Sequence, residues 1–79
     1  MTSRITVDPE ICGGKPTITG TRIMVYIILD YIEEGYSFDE IIESYPSITK
    51  DDIKAAIRYA RDVVEGEKIV YFKRNEVSA

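Results

Sequence analysis

The sequence predicts a mainly α protein: a three-helix bundle whose last two helices form a helix–turn–helix unit, with a short N-terminal strand and a β-prone C-terminal tail. Three observations predict it. Two segments, Ser37-Phe-Asp-Glu40 and Thr49-Lys-Asp-Asp52, carry the hydroxyl-then-carboxylate spacing with which helices begin. Each is followed by apolar residues at helical spacing. Gly35, Pro46 and Gly66 stand where those helices would stop.

Taken in order, Arg4-Ile-Thr-Val7 alternates polar and apolar residues and reads as a short strand ended by Asp8-Pro9. Residues 13–20 are punctuated by Gly and Pro, with 17–19 briefly extended. The first helix is expected over 23–34, because Val25, Ile28, Leu29 and Ile32 fall at i, i+3, i+4 and i+7. The second opens at the Ser37 cap, with Tyr36 and Ile41 at the hydrophobic-staple positions and Phe38, Ile41, Ile42 and Tyr45 on one face. Pro46 ends it by pushing Tyr45 toward extended geometry. The third is capped by Thr49, with Asp52 at N3, Ile48 and Ile53 as the staple, and Ile53, Ile57, Ala60 and Val64 as the expected core stripe. On this phase Ile57 lies at the centre of the core, and a carboxylate there is expected to abolish folding. Residues 1–66 form the domain with its N-terminal arm, and 67–79 form the tail, read either as an edge strand beside residues 4–7 or as an arm that orders on a partner.

Composition narrows the function. With no histidine, the commonest general base and metal ligand are missing, and no carboxylate pair stands out as an acid–base or metal site. No cofactor is expected, and an enzyme is the least favoured class. The single cysteine, Cys12, precludes an internal disulfide and suits a reducing cytoplasm. No signal peptide opens the chain and no apolar run approaches a membrane span. The net charge of −4 argues against indiscriminate nucleic-acid binding.

The stretch Gly13-Gly-Lys-Pro-Thr-Ile-Thr-Gly-Thr-Arg-Ile23 invites comparison with a phosphate cradle. A Walker A loop requires Ser or Thr after its lysine, and here Pro16, which has no N–H, follows Lys15. The stretch reads instead as a rigid turn leading into the first helix. The residues Gly14-Lys-Pro-Thr-Ile-Thr-Gly-Thr-Arg-Ile23, Gly35-Tyr-Ser37, 41–46 and Asp52-Ile-Lys-Ala-Ala-Ile-Arg-Tyr-Ala60 resemble, in order, the pattern of domain-of-unknown-function family 433. The resemblance covers about 9–64. It implies a homeodomain-like three-helix fold and the role of a predicted type II antitoxin, whose cognate toxin is a PIN-like ribonuclease.

Candidate contact residues fall into four groups. Lys50, Lys54, Arg58 and Arg61 cluster on one flank of the third helix, about 60–140° from Ile53, where they either touch operator DNA or form a solvated charged face. Arg22 either pins its turn by pairing internally or reaches the acidic site of a partner. Met24, Ile27 and Tyr31 form a second apolar stripe on the first helix, suited to a homodimer. Ile69, Tyr71, Phe72 and Arg74 in the tail suit toxin contact. The reading is an antitoxin-like module that blocks its toxin and represses through its helix–turn–helix. The alternatives are a DNA-binding regulator without a toxin, or a protein-interaction adaptor.

Overall fold

In the computed structural model the backbone is described for residues 4–74 and the side chains for 4–66. Two short strands, β1 (Ile5–Thr6) and β2 (Thr17–Ile18), precede three helices, α1 (Val25–Glu33), α2 (Phe38–Ser44) and α3 (Lys50–Arg74). The mainly α, three-helix class expected from the sequence is the observed one. The strands pair antiparallel, with Ile5 opposite Ile18 and Thr6 opposite Thr17.

α1 starts two residues later than the periodicity suggests, because Ile23 and Met24 are held extended. The Ile18 amide donates to the Ile23 carbonyl at 2.9 Å and the Val25 amide to the Pro16 carbonyl at 2.9 Å. α1 ends in a Schellman motif. Gly35 takes φ of 95° and donates to Ile32, while the Tyr36 amide donates to Tyr31. The Tyr31 and Tyr36 rings meet edge-on at 4.9 Å, the apolar contact that accompanies this motif.

Both helix starts are as read from the sequence. The Ser37 hydroxyl accepts from the Glu40 amide at 3.1 Å, and the Glu40 carboxylate accepts from the Ser37 amide at 2.7 Å. Thr49 and Asp52 repeat the exchange at 3.2 and 2.9 Å. Each box satisfies two amides that a helix start otherwise leaves unpaired.

The core is built from Ile18, Val25, Ile28, Ile41, Ile48, Ile53 and Ala56. Here the expected stripe on α3 needs correction. Ile53 is fully buried, but Ile57 is 38% and Val64 60% exposed, and Ala56 and Asp52 take the buried positions. The buried face is rotated by about 60° from the expected one. A small side chain at 56 lets α3 lie close to its neighbours, and the larger Ile57 is displaced to the flank. A carboxylate at Ile57 is therefore no longer expected to abolish folding.

The tail also differs. Gly66 does not stop α3, which continues through it to Arg74. Gly66 is absent from the glycines with positive φ. A glycine inside a helix costs about 1 kcal/mol relative to alanine, too little to end one flanked by Glu65, Glu67 and Lys68. The β-prone edge-strand reading of 67–74 gives way to helix, the expected boundary after Gly66 falls inside α3, and the partner of β1 is β2.

Candidate functional site

The stretch that first suggested a phosphate cradle forms a scaffold for one exposed cation. Cys12, Gly13 and Gly14 take φ of 52°, 67° and 90°, three left-handed residues in succession. Gly20 adds a fourth, at 84°. Such backbone leaves no run of amides aligned at a helix start, which a phosphate cradle requires. The Thr21 hydroxyl donates to the Ile18 carbonyl at 2.8 Å and accepts from the Ile23 amide at 3.0 Å, bracing the turn on both sides. Cys12 Sγ lies 3.6 Å from the Arg22 carbonyl oxygen as a weak donor, so the thiol braces the same turn.

This turn holds Arg22 at the rim of a shallow depression lined by Thr6, Ile11, Thr17, Gly20 and Thr21. The threonine hydroxyls are engaged internally: Thr17 donates to the Thr6 carbonyl, and Thr6 meets Thr19 at 2.7 Å. Arg22 is exposed, and its guanidinium pairs with no carboxylate among the described residues. The internal ion pair that would pin the turn is not formed there.

All four cations of the α3 flank are exposed. Lys50 lies 3.4 Å from Asp39 and Arg61 lies 3.0 Å from Asp62, surface pairs of little energetic value. Lys54 and Arg58 form no ion pair among the described residues. Met24, Ile27 and Tyr31 are half-buried, and Tyr31 also packs against Tyr45. Side chains of Ile69, Tyr71, Phe72 and Arg74 lie outside the described residues.

One polar contact had no local sequence signal. Arg4 Nη1 donates to Asp52 Oδ1 at 3.0 Å across 48 residues, tying the N-terminal arm to the start of α3. Burial acts to raise the Asp52 pKa. Hydrogen bonds from Thr49 and Arg4 outweigh it and hold the carboxyl below the ordinary aspartate range. At Tyr45, burial first and the neighbouring Tyr31 second push the phenol upward. Among the described residues no group of three or more acidic, histidine or cysteine side chains is placed to hold a metal ion. No helix there is long and apolar enough to cross a membrane.

A braced glycine-rich arm, a two-stranded sheet and three capped helices define a small α-helical domain with an exposed basic turn. The family described as "Protein of unknown function (DUF433)" matches residues 5–60, and the chain belongs to it. The chain is 32% identical to the uncharacterized protein y4eO of Sinorhizobium fredii, over 89% of this chain and 37% of that protein. A crystal structure of a DUF433 member from Anabaena variabilis superposes with a TM-score of 0.75 at 32% identity, covering 82% of this chain and 64% of that one. The chain thus spans less than two thirds of either relative.

Proposed function

We propose that this protein is an antitoxin-like module that binds and neutralises a PIN-like ribonuclease toxin. The class rests on the antitoxin role that the resemblance implies for the family, to which residues 5–60 belong. The observation that carries the contact is Arg22, an exposed guanidinium on a turn braced by Thr21 and Cys12. A planar guanidinium carried on a braced backbone suits the carboxylates of a metal-dependent nuclease site, because its fork of N–H groups matches a carboxylate. Co-expression with the adjacent gene should yield a complex of the two products in which ribonuclease activity is suppressed. Arg22→Glu should weaken inhibition by at least about tenfold, since it opposes like charges at the contact. Unchanged inhibition would remove Arg22 from the interface, and absence of any complex would remove the reading.

A second reading, a DNA-binding regulator, is favoured by Lys54 and Arg58, exposed and without an ion pair among the described residues. If they contact phosphates, replacing both with alanine should reduce the slope of log affinity against log salt by about 1.8, at roughly 0.9 per contact. An unchanged slope leaves them a solvated face.

A further inference from the structure

Part of the apolar stripe on α3 is left open by the fold of the single chain. Ile57, Ala60 and Val64 follow one another at i, i+3 and i+7 on α3, the spacing of a helix–helix seam. Ile57 is 38% and Val64 60% exposed, and the three residues line a shallow groove with Arg61 and Glu65. Among the described residues, only α3 lines this groove. Contiguous apolar surface along an otherwise charged helix marks a contact.

From the charges at the groove we infer that a second copy of this chain docks there, α3 against α3 in antiparallel orientation. Arg61 and Glu65 stand four residues apart with opposite signs. A two-fold axis passing between them sets each Arg61, which in the single chain lies 3.0 Å from Asp62, within reach of Glu65 of the other copy, and Val64 beside Val64 of the other copy. A partner of one charge sign would meet one like charge at this rim. A copy related by a two-fold axis meets none, which is the self-complementarity an isologous interface requires. In an antiparallel pair the same flank of each helix falls on the same side of the seam. Lys54 and Arg58 of both copies then line one face, while Arg61 is taken up by the contact. The interface differs from the Met24, Ile27 and Tyr31 stripe, and it holds whether or not a toxin is bound.

Sedimentation equilibrium of the full chain tests it. The expected mass is twice 9.0 kDa. Val64→Glu should raise the dissociation constant by at least about tenfold, by placing a charge in the seam, with the far-ultraviolet circular dichroism of the unassociated chain retained. The Arg61→Glu chain alone and the Glu65→Arg chain alone should each dimerise poorly, because every cross-contact is then between like charges. Mixed together they should form a heterodimer in which both cross-contacts are between opposite charges. A wild-type monomer up to about millimolar concentration, an unchanged constant for Val64→Glu, or no gain on mixing would each overturn the proposal. So would association through Val64 only with the product of another gene.

Discussion

Ile53→Asp is expected to unfold the protein, whereas Ile57→Asp, four residues along the same helix, is expected to leave a cooperative transition and native helicity. Ile53 is fully buried among Ile18, Val25, Ile28, Ile41, Ile48 and Ala56. A carboxylate placed there loses its hydration without gaining a partner, and the side chain it replaces leaves a void. The combined cost, above about 4–5 kcal/mol, is comparable with the whole stability of a domain this size, on the order of 4–12 kcal/mol. Ile57 is 38% exposed, so a carboxylate there keeps much of its hydration. Thermal melts followed by circular dichroism at low protein concentration, where any self-association is removed, distinguish the two. A folded Ile53→Asp variant would show that the buried face of α3 has been misplaced.

Asp52→Ala is expected to cost about 2–3 kcal/mol. The carboxylate accepts from the Thr49 amide at 2.9 Å and from Arg4 at 3.0 Å, and its side chain is only 12% exposed. Loss of an N-terminal cap accounts for about 1 kcal/mol and a hydrogen bond to a charged group for about 1.5–3 kcal/mol. The Arg4 share is discounted because that guanidinium is half-exposed and screened. The sign with pH follows from the lowered pKa. The folded protein holds the carboxylate ionised to lower pH than the unfolded chain does. Its stabilising contribution is therefore complete above the unfolded value, near 4, and is lost as pH falls through the lower folded value. Urea unfolding from pH 7 down to pH 3 should show the gap between wild type and Asp52→Asn narrowing below about pH 4. A constant gap would mean that the ionised form is not what the contacts favour.

What the sequence made legible was local. Both capping boxes, the stop at Gly35 and the Phe38, Ile41, Ile42 face of α2 depend on residues within one or two turns of each other, and each is observed. The phase of α3 was not legible, because Ile57 and Val64 have the periodicity of a core stripe and Ala56 does not advertise burial. Periodicity shows that an apolar face exists without showing which partner covers it. Gly66 misled for a related reason: a glycine permits a helix end without requiring one. Pairing of β1 with β2 and of Arg4 with Asp52 joins residues distant along the chain, and no spacing rule reaches that far. At the candidate site, the basic flank was legible as a pattern. That Arg22 would stand clear of internal carboxylates was one of two open readings. Tyr26, 50% exposed, lines a further depression with Lys15 and Val63, and no motif in the sequence marks it.

The Arg4–Asp52 contact also orders the way in which the fold can come apart. The helices form from neighbours in sequence, so α2 and α3 can assemble and cap themselves without the arm. Closing the 48-residue loop between Arg4 and Asp52 costs entropy that only the complete arrangement recovers. The contact is half-exposed on the Arg4 side, and β1 is only two residues long. Peeling the arm away is therefore a low-energy partial opening, well below the cost of separating the helices. That opening uncovers Thr17 and Ile18 and removes the strand supporting the Gly20–Arg22 turn. The rigidity of the basic turn is thus held by a clasp between the N-terminal arm and the start of α3, and a tag or fusion ahead of Arg4 bears on that turn without touching it.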